Sequence, residues 1–540
     1  MKPWHKNYPE NVEHEIDDKK YQSMVDLFNQ TVERFQDKVA YANYGTELTF
    51  NELEVLSRDF AAYLQNVSGV KKGDRIGLMC PNGLQFVVAT WGIIRTGAIL
   101  VNVNPYYTPR ELKHQLNNAE METIVIHAGS TSVLAEVIDE SPIKNVLAIK
   151  PDDIVNKGLP DSVIDPRINP DAMFTQALKE GKDLQYTEPT IVPSDLFFLQ
   201  YTGGTTGLSK GVMLSNNNMV ANIVQFNEFT KNILIGEDEI VLTAIPMYHI
   251  LALAVNTLCY FEMGAQNVLI TDATNLANIL DTFTSSKVTS FVSVNSMFNA
   301  LVHCDGFDDV DFSTMHFAIG GGAPVQEAVS QKWAKVTGQR IYEGYGLSET
   351  APVLCLNIGK DDVYVPGVGI PLSSTDIIIR DLDDNIVKQG ELGEVCAKGP
   401  QVMQGYWNNP KVTAEVMTDD GYFLTDDIGY MDEFGYFHLV DRKKEMILVS
   451  GLCVYPNEIE GNLAKMAGLL ETACVGRKDP DTGEVTKIYA VKTDPSITAE
   501  DVIAFCCDCL ESHKVPKEVV FMDALPKTSV GKILRRELTD

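Results

Sequence analysis

Short apolar runs recur along the first two thirds of the chain, separated by stretches of helical spacing. The runs are "RIGLMC", "AILVNVN", "ETIVIH", "NVLAIK", "LFFLQY", "IVLTAI", "TSFVSV" and "HFAIGGG", between about residues 75 and 345. Strands alternating with helices predict an α/β fold with largely parallel sheets in layers. Between residues 366 and 440 the texture changes. Strands such as "TDIIIRDL" and "GEVCAKG" are joined by Gly, Asp and Asn turns, which predicts a smaller antiparallel, barrel-like part. After "YFHLVDRKKEMILVSG" a short α+β pattern runs to the end. The basic cluster Asp441-Arg442-Lys443-Lys444 marks the expected boundary, giving domains 1–440 and 441–540.

Ile240 to Phe261 holds 22 residues without Asp, Glu, Lys or Arg, long enough to span a bilayer. Pro246 and the polar "PMYH" interrupt it, so a strand from Ile240 to Ile245, a break and a buried helix are expected. The first twenty residues are polar and charged with no apolar run, so no signal peptide is expected. With 540 residues, more than one hydrophobic core is needed. The formal net charge of −30 repels nucleic acid and anionic lipid at long range. Phosphate substrates would therefore need locally concentrated Lys and Arg. Ten scattered cysteines suggest reduced thiols in a cytoplasm. Cys506, Cys507 and Cys509 have no second C-x₂-C pair to complete a zinc site and read as free thiols.

The richest chemistry lies in "YTGGTTGLSKG", residues 201–211. An apolar strand precedes it and a helical pattern follows, the arrangement of an anion-holding loop. Lys210 is followed by Gly211, so the G-x₄-G-K-[ST] pattern of P-loop ATPases fails. "GLSKG" matches the G-x-S-x-G nucleophile elbow, but no HGGG-type oxyanion segment accompanies it. The third reading is a phosphate grip. Glycines bring backbone N–H groups together, Thr202, Thr205, Thr206 and Ser209 add hydroxyls, Lys210 adds charge, and the following helix offers its N-terminus.

This loop resembles the phosphate loop of the adenylate-forming superfamily of acyl-CoA synthetases, luciferases and adenylation domains. Four further segments follow in that family's order: "GGGAP" at 320–324, "YGLSET" at 345–350, "DRKKEMILVSG" at 441–451 and "PKTSVGKILRREL" at 526–538. The resemblance is to bacterial long-chain fatty-acid–CoA ligases most of all. It implies a large α/β domain, a barrel-like part and a small mobile α+β lid. It implies that a fatty acid and ATP give acyl-AMP and that coenzyme A then takes the acyl group. Alternatives are a ligase that loads a carrier protein and a non-catalytic acyl or nucleotide sensor.

By the same resemblance, Thr202, Gly203, Gly204, Thr205, Thr206, Gly207 and Lys210 grip the β- and γ-phosphates. Glu349 binds Mg²⁺, and Ser348, where many relatives have Thr, reaches the α-phosphate. Tyr345 stacks on adenine against Gly321 and Gly322, while Asp427 and Arg442 hold the ribose. Lys532 is the catalytic lysine and His249 lies near the carboxylate. Lys444 falls at the hinge, and Ser450 and Gly451 line a pantetheine path. Where close relatives have Thr-Gly-Asp, this chain has Thr425-Asp426-Asp427. Asp tolerates the left-handed backbone that Gly would supply. Its charge is expected either to raise the ATP requirement or to point outward without effect. The cysteine usage points to a cytoplasmic protein; the resemblance suggests a peripheral contact with the inner membrane face, against which the acidic surface argues, and a homodimer stays open.

Overall fold

A computed structural model describes residues 2–202, 209–358, 365–381, 383–528 and 531–538. All eight apolar runs form strands. Ile99–Asn102, Arg75–Met79, Thr123–His127 and Asn145–Ile149 pair in parallel at the centre of one sheet. Leu196–Thr202 adds to its edge in parallel. Ile240–Thr243, Ser290–Ser293, Phe317–Gly320 and Tyr342–Gly346 form the parallel centre of a second sheet. The helix Leu84–Arg95 is buried at all of its positions and touches strands of both sheets. Its apolarity on every side is what a helix between two sheets requires.

The uncharged stretch forms the strand Ile240–Thr243, breaks around Pro246, and resumes as the π-helical segment Ala252–Cys259. Every residue of that segment is buried. No helix among the described residues is long and apolar enough to cross a membrane. Asp376–Arg380, Gly393–Lys398, Phe423–Met431 and Phe437–Arg442 make a four-stranded antiparallel sheet. Asp441 and Arg442 thus end the last strand of that sheet. Beyond them, Ile447–Val449, Leu452–Val454, Leu469–Asp479, Gly483–Lys492 and Glu518–Phe521 build another sheet. With the helices Pro456–Leu463 and Ala499–Cys509 it encloses its own apolar cluster, including Val454, Ile459, Ile488 and Val502. In the second of these helices Cys506 is buried, while Cys507 and Cys509 face outward; all ten cysteines are free.

One sequence expectation is corrected. The phosphate-loop stretch leads into a strand, Lys210–Ser215, and not directly into a helix. That strand returns antiparallel along Leu196–Thr202, with Thr202 opposite Lys210 and Leu196 opposite Ser215. The helix Asn216–Thr230 therefore starts at the far end of the hairpin, where Ser215 and Asn218 cap it reciprocally. Its N-terminus lies at the opposite end of the hairpin from Thr202 and Lys210. The alternating "KGVMLS" was short enough to be absorbed into the helical pattern that follows.

A single carboxylate aligns the strands of the second sheet. Glu239, fully buried, accepts from Thr289 and Ser290 and pairs with His316 Nε2 at 2.8 Å. Those residues sit at the starts of three adjacent strands. Burial pushes the Glu239 carboxyl up, but these partners outweigh it and hold it below its ordinary value. The bond to Glu239 raises His316. Glu239's contribution is present above its ordinary value of 4.5 and fades as pH falls through the lowered one. His316's is present below 6.5 and fades as pH rises through the raised one. Glu239→Gln is therefore expected to cost about 2 kcal/mol near pH 5.5 and less at pH 8.5. Unfolding measured at the two pH values checks this.

Candidate active site

The C-terminal ends of the parallel strands, the four-stranded sheet and the last hundred residues meet around one cavity of about 2030 Å³. Thr202 and Lys210 reach it from the first sheet. His249, Gly321, Gly322, Tyr345, Ser348 and Glu349 reach it from the second. Asp427 and Arg442 come from the four-stranded sheet, and Lys444 and Lys532 from the C-terminal part. Ser450 and Gly451 do not line it. They form the exposed turn between two short strands, both at positive φ. Gly203, Gly204, Thr205, Thr206 and Gly207 lie outside the described residues.

Glu349 sits in the single turn Ser348–Thr350, immediately after Tyr342–Gly346 and Leu347. Gly346 makes that turn possible: a Cβ there would lie 1.9 Å from the Pro352 carbonyl oxygen. The carboxylate is held by Tyr406, whose hydroxyl donates to Oε1 at 2.7 Å. Lys210 Nζ lies 4.3 Å from the centre of the same Tyr406 ring. Tyr406 was not anticipated from sequence. It lies in "GYWNNP", where an aromatic beside Gly and Asn reads as an ordinary turn. Its strand pairs with Lys210–Ser215, a long-range contact that no local spacing announces.

Asp427 and Arg442 are directly opposed across the last two strands of the four-stranded sheet. Arg442 Nε meets Asp427 Oδ1 at 2.6 Å, and the Tyr345 hydroxyl donates to Oδ2 at 2.7 Å. Burial pushes the Asp427 carboxyl up, while Arg442 and Tyr345 oppose that shift. The three residues join the second large sheet to the four-stranded one. Asp426 adopts φ 64, the left-handed conformation expected of a Gly substitute. Its carboxylate does not turn to the cavity centre unpaired; it meets Lys444 Nζ at 2.9 Å.

His249 Nδ1 accepts the Leu251 backbone N–H at 3.3 Å. A neutral ring with that nitrogen occupied carries its proton on Nε2. Burial, and then the charge of Lys532, push His249 down to about 4. Burial, and then Arg442, lower Lys532. Both side chains line the one cavity although they are 283 positions apart in sequence. Phe226, Leu251, Val255 and Leu356 give the adjoining wall of the cavity an apolar face.

The chain belongs to the AMP-binding enzyme family. The family model for the AMP-binding enzyme matches residues 28–407, and that for the AMP-binding enzyme C-terminal domain matches 458–532. Among curated proteins it is 46% identical to the long-chain-fatty-acid–CoA ligase of Escherichia coli O6:H1, over all of this chain and 98% of that one. Among solved structures it is similar to ATP-bound MatB from Rhodopseudomonas palustris, with 26% identity and a TM-score of 0.83. The match covers 95% of this chain and 97% of that one. Apo MatB from the same organism, at the same identity and coverage, superposes with a TM-score of 0.72.

His249 is expected to stay unprotonated, with the Nε2–H tautomer, throughout the neutral range. Nitrogen-15 NMR of histidine-labelled protein should show it titrating near 4. Lys532→Ala should raise that value only modestly, because burial is the larger cause.

Proposed function

We propose that the chain activates a long-chain fatty acid with ATP as acyl-AMP and transfers the acyl group to coenzyme A. The products are acyl-CoA, AMP and pyrophosphate. The observation that carries this reading is the convergence of Lys532, Arg442, Asp427 and Glu349 on one cavity with an apolar wall. Full-length similarity to a long-chain-fatty-acid–CoA ligase supports it. In the first step a carboxylate oxygen attacks the α-phosphorus and pyrophosphate leaves. In the second the coenzyme A sulfur attacks the acyl carbonyl, its proton is released and AMP leaves.

The first step brings an anion to a polyanion, so aligned cations and donors dominate its barrier. Thr202 and Lys210 flank the phosphate end. Lys532, a compact charge on a long stem, lies between the carboxylate and the α-phosphate. The neutral His249 Nε2–H donates to the carboxylate, and Ser348 offers a hydroxyl to the α-phosphate. Asp427, oriented by Arg442 and Tyr345, accepts from the ribose hydroxyls. Adenine stacks on Tyr345 beside Gly321 and Gly322. The face of Phe226, Leu251, Val255 and Leu356 receives the acyl chain.

The donor set at Glu349 fits Mg²⁺. It offers a hard carboxylate oxygen, oriented by Tyr406 and lining a cavity large enough for phosphate and water ligands. When bound, Mg²⁺ neutralises phosphate charge. We assign residues 1–440 to a nucleotide- and acyl-binding domain and 441–540 to a lid. The lid turns about Lys444 between the steps, withdrawing Lys532 and bringing Ser450 and Gly451 to the pantetheine arm. The higher similarity to ATP-bound than to apo MatB supports assigning the described arrangement to the first step.

The test is purified protein with Mg-ATP and acids from short to long chain, with and without coenzyme A, following AMP, pyrophosphate and thioester. Thioester formed fastest with long chains is expected. Pyrophosphate without thioester would replace this reading with a carrier-loading ligase, and ATP binding without turnover with a sensor. Lys532→Ala should slow pyrophosphate formation by about 10²–10³-fold, yet spare thioester formation from supplied acyl-AMP. Tyr406→Phe, which keeps the ring beside Lys210 but frees Glu349, should lower kcat/KM for Mg-ATP by about tenfold. Steady-state kinetics at saturating acid checks it.

A further inference from the structure

Residue 426 poses a specific problem. Glu394 pairs with Ile428 and Cys396 with Leu424, so Thr425, Asp426 and Asp427 bulge opposite Val395. The bulge needs a left-handed residue, and Asp426 supplies it at φ 64. A glycine would do so with less strain. The carboxylate therefore needs a reason of its own.

Its surroundings provide one. The bulge aims Asp426 across to the segment by which the chain leaves the four-stranded sheet. There Asp426 Oδ2 meets Lys444 Nζ at 2.9 Å. The Lys443 N–H donates to the Asp426 carbonyl at 2.8 Å. Glu394 completes the clamp: it accepts the Asp426 N–H at 3.0 Å and the Lys443 ammonium at 2.8 Å. Residues 443 and 444 are thus strapped onto the bulge just before the first strand of the C-terminal part. Arg442 is different, because its partner Asp427 is opposite it within one sheet. A turn of the C-terminal part about 443–446 can leave the Asp427–Arg442 pair intact. It has to open the Asp426–Lys444 pair.

We propose that Asp426 is a positioning residue whose ion pair with Lys444 holds the C-terminal part in the orientation that keeps Lys532 in the cavity. It thereby favours acyl-adenylate formation over thioester formation. This rests on the two-step ligase reading. The pair is about one-third exposed at both ends, so its effect is modest and salt-sensitive. That suits a contact which has to open once per turnover.

The experiment compares the full chain with Asp426→Asn and Asp426→Gly, both of which tolerate the left-handed backbone. Three quantities are read: pyrophosphate formation without coenzyme A, thioester formation from supplied acyl-AMP, and hydrogen exchange of residues 442–446 in substrate-free protein. The ratio of the thioester rate to the adenylation rate should rise about two- to five-fold in both variants. Exchange over 442–446 should rise by a similar factor. Added salt should raise the ratio in the unaltered chain but not in Asp426→Asn. Equal scaling of both rates, or unchanged exchange, overturns the proposal. If the unaltered chain turns over no acid, exchange decides alone: faster exchange in the variants keeps the strap while the ligase reading falls, and equal exchange removes the strap.

Discussion

The arrangement turns on one buried carboxylate. Asp427 accepts from Tyr345 on one side and pairs with Arg442 on the other, tying the second large sheet to the four-stranded one. A buried charge is tolerated only when paired and hydrogen-bonded. Here both partners also line the cavity. Stability and site geometry therefore cannot be separated at this point. Removing Arg442 would leave the Asp427 carboxylate largely buried without its cation, and removing Tyr345 would take away the hydroxyl that donates to Oδ2.

The same economy explains how a chain of net charge −30 builds a site for phosphates. Two groups stand out among the cations that line its cavity. Arg442, Lys443, Lys444 and Arg535 are each paired, with Asp427, with Glu394, with Asp426, and with Glu445 and Glu460. They fix strands and crossing segments in place. Lys210 and Lys532 make no ion pair among the described residues, and both line the cavity. The acidic surface and the cationic interior are compatible because the framework's positive charges are cancelled locally.

The eight apolar runs were legible as strands because burial on both faces demands continuous apolar sequence. The loop at 201–211 stood out because glycines, hydroxyls and a lysine cluster after an apolar strand, whereas Glu349, Tyr345, Asp427, Arg442 and Lys532 were singled out only by resemblance to adenylate-forming enzymes. What was not legible depended on distant pairing. The hairpin that carries Thr202 and Lys210 was read as loop then helix, since its return strand is short and runs into "NNNMVANIVQ". Tyr406 and Glu239 act through residues 57 and 77 positions away, beyond any local pattern. Asp426 was half legible. Its backbone conformation followed from the residue type, but its partner did not, because Lys444 is brought to it only by the antiparallel return of Phe437–Arg442.

That return also orders the consequences for chemistry. Asp427 and Asp426 are neighbours on one strand, yet the bulge sends their carboxylates to different partners, Arg442 within the sheet and Lys444 beyond it. Two residues apart where that strand ends, those partners divide the labour. Arg442 ends the four-stranded sheet, and Lys444 lies in the segment that runs on from it to the C-terminal part. A flat strand would send consecutive side chains to opposite faces. The left-handed residue lets both serve the same junction. The bulge is thus the local feature that allows one strand both to fix one side of the cavity through Asp427 and to hold the segment that leads to Lys532 through Asp426.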